Sequence, residues 1–221
     1  MNKIISNIES WLLSIAIAFI FVFLLKTFIG MPTTVKGSSM VPTFFQNDKL
    51  VISTWSTNFN TIPNRGDIVT FEAPSIDFVK NANLDNPIAI YKKESKTAYE
   101  KILYYGLGIC KKSYIKRVIG LPGENVKIQN GKVYINDKQI EEDYLDENTS
   151  TNMALGGEFN DITVPYGFVY VLGDNRENSA DSRRFGCIPI KKIQGKVVVR
   201  WWPLKKQKLY NGGLLNCTLK I

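Results

Sequence analysis

One stretch near the start of the chain restricts its possible folds more than any other. From Trp11 to Leu25 the sequence WLLSIAIAFIFVFLL carries no charge, and its apolar character resumes past Lys26 through TFIGM. Counted from Ser10 to Met31, the segment is 22 residues. As a helix it is roughly 33 Å long at about 1.5 Å per residue, enough to cross a hydrocarbon core of about 30 Å. Lys26 lies near one end and can snorkel to the interface. Two alternatives fit less well. A cleaved signal peptide needs a small-x-small site after the apolar run, which LLKTFIGMP lacks. A buried core helix is usually shorter and keeps a polar face. The expected organisation is residues 1–31 as a short N-terminus with one transmembrane anchor, and 32–221 as a single domain beside the bilayer. Charges flanking the span (Lys3, Glu9, Lys26, Lys36) give the positive-inside rule almost no preference.

The chain of 221 residues contains no histidine. That removes every mechanism built on imidazole: a Ser-His-Asp triad, a Cys-His dyad, HExxH zinc chemistry and histidine phosphotransfer. Cys110, Cys187 and Cys217 are far apart, with no CxxC spacing. They suit neither a structural zinc site nor a disulfide framework.

Charge is segregated along the chain. Nine acidic residues lie between Glu124 and Asp161, against Lys127, Lys132 and Lys138. After Asp181 there is no acid, while ten basic residues follow from Arg183 to Lys220. This basic tract includes Trp201 and Trp202, but no helix-turn-helix, zinc-finger or RNP motif accompanies it. No nucleic-acid partner is therefore expected. For a chain tethered at a membrane, anionic lipid is the nearer partner; a solvated basic face is the plainer alternative.

Beyond the anchor the local signals are those of strands. LVIS (50–53), DIVTF (67–71), YIKRVIG (114–120), NVKI (125–128), KVYI (132–135), FVYVLG (168–173) and KVVVRWW (196–202) are short β-branched or aromatic runs. Asn130-Gly131 between two of them predicts a two-residue type I′ hairpin. A helical period appears only in SKTAYEKILYYG (95–106), where Ala98, Ile102 and Tyr105 share a face. The expected fold class is mainly β: a partly open antiparallel domain with an N-terminal transmembrane helix and a small inserted segment.

Three stretches carry candidate chemistry. In VKGSSMVPT (35–43), Gly37 allows a tight backbone approach to a serine pair, Ser38 and Ser39, and Met40 can line an apolar pocket. In SYIKRVIGLPGE (113–124), Lys116 interrupts a hydrophobic strand, with Tyr114 and Val118 on its face and Ile115 and Arg117 opposite. A lysine on a strand ordinarily points outward and protects an edge. The third, GDNRENSADSRRFG (173–186), is a dense polar loop in which Asp174, Arg176, Asp181 and Arg183 alternate in sign. It is not a calcium loop, because Arg176 falls where an oxygen ligand is needed; a salt-bridged turn is the alternative.

In this order, after a membrane anchor and with RGDIVTFEAP (65–74) between them, these stretches resemble the bacterial type I signal peptidases, membrane-bound serine proteases with a Ser-Lys dyad. The resemblance implies Ser39 as nucleophile and Lys116 as general base. It implies Ser179 as a hydrogen-bonding partner of the lysine amine and Asp181–Arg183 as a supporting ion pair. Asp174, Arg176 and Arg117 would buttress the site. Val35, Met40, Phe44, Tyr114 and Ile115 match positions lining shallow substrate pockets, so substrates are expected to be preproteins with small residues one and three before the cut. The catalytic domain would face out of the cell and the N-terminus in. A monomer without cofactor or metal is expected. Some members carry a serine two residues before the nucleophile as an oxyanion donor, but here that residue is Gly37. The backbone N–H of Ser39 would then serve, with Ser38 as a candidate helper. About 38 residues, Ser75 to Lys112, separate strands that many relatives join by a short hairpin; this insertion receives no role.

The chemistry is consistent with that assignment. A serine hydroxyl attacks only when a base takes its proton. Free lysine titrates near ~10.4, but burial can lower an amine by up to about 3–5 units. Three other readings remain: a dedicated maturation peptidase of the same family, a cytosolic Ser-Lys repressor protease, and a non-enzymatic membrane-tethered basic module. The second lacks its DNA-binding head here, and the third leaves Ser39, Lys116 and the polar loop without a purpose.

Overall fold

The computed structural model describes residues 11–21, 30–54, 61–75, 86–91, 112–152, 159–204 and 208–209. Residues 11–21 are helical (α1), with every side chain exposed. Among the described residues no helix is long and apolar enough to cross a membrane. Residues 22–29, through which the expected span continues, lie outside the described residues. So does the expected helix over 95–106.

All seven runs read as strands form strands. The elements are β1 (Met31–Thr34), β2 (Lys49–Ser53), β3 (Ile68–Glu72), β4 (Ser113–Gly120), β5 (Asn125–Gln129), β6 (Lys132–Ile135) and β7 (Lys138–Gln139). After them come β8 (Asp161–Thr163), β9 (Phe168–Leu172), α2 (Ser182–Phe185), β10 (Ile188–Pro189), β11 (Ile193–Trp202) and β12 (Lys208–Leu209). One sheet runs β1-β2-β11-β3-β4-β9-β10, with β12 also on β11; the other runs β7-β6-β5-β8. Among the described residues every strand pair is antiparallel and neither strand order closes on itself, so the domain is mainly β and no closed barrel.

The Asn130-Gly131 turn forms as its residues dictate. Both have positive φ, 52° and 75°, as a type I′ turn requires, and Gln129 pairs with Lys132 across it. The unbroken apolar run of β9 has a physical reason too: a strand buried on both faces need not alternate. Val169 and Val171 pack with Val69, Phe71, Val118 and Phe185, while Tyr170 and Leu172 join Ile119, Val126, Ile128 and Val133 under the second sheet. β9 and β4 thus separate two cores and hold the two sheets together. Part of the Ser75–Lys112 insertion is tied in at Cys187, whose N–H donates to Pro87 and whose carbonyl accepts from Ala89.

Candidate active site

The connection from β1 to β2 is held from within. Val35 N–H donates to the Asp48 carbonyl at 2.8 Å and Asn47 N–H returns the bond to Val35 at 2.9 Å. Phe44 N–H closes a turn on Met40. Val35, Met40 and Phe44 are buried in one cluster with Leu50, Ile68 and Val197, and Ile115 packs against it. These apolar anchors bring Ser39, half-buried at the top of the turn, towards β4. From β11, Arg200 donates to the Thr43 carbonyl at 2.8 Å and to Asp48 at 3.2 Å, gripping the same loop from below.

Lys116 does not take the outward orientation usual for strand lysines. It is 3% exposed, across from Val69 on β3, with its amine 5.5 Å from the Tyr114 ring centre. Nζ donates to Ser39 Oγ at 2.6 Å and to the Ile115 carbonyl at 3.0 Å. Burial lowers the amine from 10.5 to about 8; the Asp181 and Asp174 carboxylates resist that shift, and the Arg183 guanidinium adds to it. At mildly alkaline pH the neutral form is therefore well populated. Its lone pair then lies within proton-transfer distance of the hydroxyl.

The polar loop from Gly173 to α2 closes over this pair. Asp181 caps α2 through the Arg183 N–H and accepts a two-pronged contact from the Arg183 guanidinium, both prongs 2.8 Å. Its second oxygen also accepts from Gly173 N–H at 3.1 Å. Asp174 accepts a similar fork from Arg117 at 2.8 and 2.6 Å, and Arg117 also reaches the Gly66 carbonyl and Thr43 hydroxyl. Arg176 leaves its neighbours and pairs with Glu142. Burial opposes its charge, but the hydrogen bond and attraction of Glu142 outweigh that, holding the guanidinium firmly protonated.

The expected bond between Lys116 and Ser179 is not made. Ser179 Oγ is buried without a hydrogen-bond partner, while the lysine amine is engaged by Ser39 and Ile115. It is nevertheless a neighbour of Ser39: a Cβ on Gly173 would collide with both Ser179 Oγ and the Ser39 carbonyl. Only glycine allows that approach.

Ser39, Lys116, Asp174, Asp181, Arg183 and Arg117 therefore converge, whereas Val35, Met40 and Phe44 form the floor beneath. Tyr114 and Ile115 are half-buried and complete the surface beside the pair. Several residues that sequence reasoning passed over also meet here. Asn175 N–H donates to the Ser39 carbonyl at 3.1 Å, its side-chain amide to the Ser38 carbonyl at 3.2 Å, and Asn178 Nδ2 to the Ser38 hydroxyl at 2.9 Å. Glu142, Tyr144, Thr43 and Arg200 are the others; asparagines in a polar loop and one acid within a run of acids carry no local cue to such contacts. Among the described residues no group of His, Cys, Asp or Glu is arranged to hold a metal ion.

The family described as signal peptidase, peptidase S26, matches residues 8–202. Signal peptidase I P of Bacillus subtilis subsp. natto is 33% identical over 206 residues, covering 91% of this chain and 92% of that protein. Signal peptidase IB of Staphylococcus aureus (strain COL) is 32% identical over 214 residues, with 91% and 93% covered. A crystal structure of a signal peptidase I from Enterococcus faecalis V583 matches at 29% identity and a TM-score of 0.38, over 61% of this chain and 95% of that one.

Proposed function

This chain belongs to the signal peptidase family, peptidase S26, and on that premise we propose that Ser39 and Lys116 carry out its cleavage of signal peptides from preproteins. It is a serine endopeptidase of the type I signal peptidases. The observation that carries the residue assignment is the 2.6 Å contact between a buried amine and a serine hydroxyl in a chain without histidine.

In this mechanism neutral Lys116 takes the Ser39 proton as Oγ attacks the scissile carbonyl carbon. The backbone N–H of Ser39 donates to the developing oxyanion, a contribution of about 3–4 kcal/mol per donor in other acyl-transfer enzymes. Ser38, its oxygen engaged by Asn178 Nδ2, is the adjoining hydroxyl donor. The Lys116 ammonium then protonates the departing amine, and the regained neutral lysine activates water to hydrolyse the acyl ester. Asp174–Arg117 and Asp181–Arg183 hold the strand and loop on either side, and Arg176 supports the loop through the Gly173 carbonyl, beside which Ser179 lies with its hydroxyl unpaired. Tyr114 and Ile115, over a floor of Val35, Met40 and Phe44, favour small side chains one and three residues before the cut, because overfilling a packed site costs about 1–3 kcal/mol.

The enzyme works as a single-pass membrane protein, its N-terminus cytoplasmic and residues 32–221 outside. Exposed Trp201 and Trp202, followed by a lysine-rich tail, suit seating on an anionic leaflet at about 1 kcal/mol per basic residue near the surface. The test is incubation of the detergent-solubilised full chain with a preprotein. One cut at the signal junction is expected, with none for a folded Ser39→Ala variant; undiminished cleavage by that variant would refute the assignment.

A further inference from the structure

The acidic segment that follows β7 is more than a solvated surface. Glu141, Asp143, Asp146 and Glu147 are exposed, but Glu142, Tyr144 and Thr151 turn inward and meet the polar loop. Arg176, whose side chain is fully buried, donates from Nη1 and Nη2 to the two Glu142 oxygens at 3.0 and 2.5 Å. It also donates to the Tyr144 hydroxyl at 3.3 Å and to the Thr151 hydroxyl. Its Nε donates to the carbonyl of Gly173, the residue that abuts the Ser39 carbonyl and Ser179. The Tyr144 hydroxyl in turn donates to Glu142 at 2.5 Å. The ring of Tyr144 lies against the Arg117 guanidinium, 3.7 Å from its centre, in a cation–π contact.

Two arginines are thus held from outside the loop they support. Arg117 directly follows Lys116 on β4, and Arg176 closes the base of the turn that touches Ser39. Neither draws all its partners from its own segment, and both use side chains of the 140–152 stretch. Arg183 repeats the pattern by donating to the Asn152 carbonyl at 2.8 Å.

We propose that Glu142 and Tyr144 are positioning residues, which fix Arg176 and Arg117 and through them align Lys116 with Ser39. The proposal rests on the dyad reading given above. It gives the four-stranded sheet a task in the reaction: presenting these two side chains to the catalytic loop.

The test uses full-length protein in detergent, a preprotein substrate, and assay temperatures well below each variant's melting point. Glu142→Gln keeps an acceptor but loses the charge; Tyr144→Leu removes the ring under Arg117; Tyr144→Phe keeps the ring and loses the hydroxyl. Glu142→Gln and Tyr144→Leu should lower kcat by about tenfold or more with KM changed by no more than about twofold, since a misplacement of ~1 Å can cost about a hundredfold. Tyr144→Phe should recover the larger part of the Tyr144→Leu loss. Wild-type kcat in folded Glu142→Gln and Tyr144→Leu, whatever their melting points, would make the contacts merely structural and overturn the proposal. A loss confined to KM would overturn it too. If Glu142→Gln does not fold, the Tyr144 pair decides. Cleavage by Ser39→Ala is a different failure, because it removes the dyad reading itself.

Discussion

Lys116→Met should stabilise the protein at neutral pH and lose that advantage as pH rises. The folded amine titrates at about 8, against 10.5 for an unburied one. Between those values the unfolded chain binds more protons than the folded one, so wild-type stability increases with pH through that window. Below about pH 8 the destabilisation is nearly complete. At about 1.4 kcal/mol per pKa unit it amounts to about 3 kcal/mol at pH 7, falling to about 1 kcal/mol at pH 10. Methionine has no charge to bury and fills a similar volume. It forfeits two hydrogen bonds, to Ser39 Oγ and the Ile115 carbonyl, worth about 1 kcal/mol each. The net gain is therefore about 1 kcal/mol at pH 7, and the sign reverses near pH 9. Denaturant unfolding of both proteins, followed by tryptophan fluorescence from pH 7 to 10, reads the difference directly. The informative quantity is its change of about 2 kcal/mol across the range, because the hydrogen-bond contribution is common to both ends. A difference that stays constant with pH would refute the lowered amine and, with it, the physical basis for lysine as a base.

Three further outcomes follow from the same geometry. The ratio kcat/KM should rise along a limb near pH 8, set by the Lys116 amine; Lys116→Arg, which stays charged at any working pH, should be folded and inactive by circular dichroism and preprotein cleavage. Arg117→Met should cost about 3–5 kcal/mol in denaturant melts by leaving Asp174 buried without its partner, and Arg117→Met combined with Asp174→Leu should recover most of it. A single variant as stable as wild type would show that the fork carries no structural weight.

The strands were legible where side chains alone demand them. FVYVL and VVVRWW are β-branched or aromatic except at Leu172 and Arg200, and Asn-Gly between two alternating runs allowed few other turns. The shortest strands were not. Lys138–Gln139 is exposed and polar, Asp161–Thr163 has one buried residue, and Met31–Thr34 carries Pro32 on the edge of the sheet. Each exists because a neighbour offers backbone partners, which no local propensity records.

The site divides along the same line. Asp181 and Arg183 stand two residues apart, and the ion pair that the family resemblance implied forms, at a helix cap for which the sequence offered no cue. Lys116 was not readable alone, since a strand lysine that is buried looks like one that is exposed. Its burial depends on a loop 77 residues away. Arg176 is the sharper case. Spacing offered it Asp174 and Asp181, yet both carboxylate oxygens it holds belong to Glu142, 34 residues earlier in the acidic stretch. The separation of acid from base along the chain is therefore partly undone in space. Glu142 of the acidic stretch folds inward to meet an arginine of the polar loop, while Arg117 takes Asp174 and Arg183 takes Asp181. With these carboxylates committed to arginines, no carboxylate among the described residues is hydrogen-bonded to the Lys116 amine, which feels only the more distant attraction of Asp181 and Asp174. A direct ion pair would have held the amine protonated. In the proposed mechanism the arginines thus keep the lysine available as a base by occupying the acids around it.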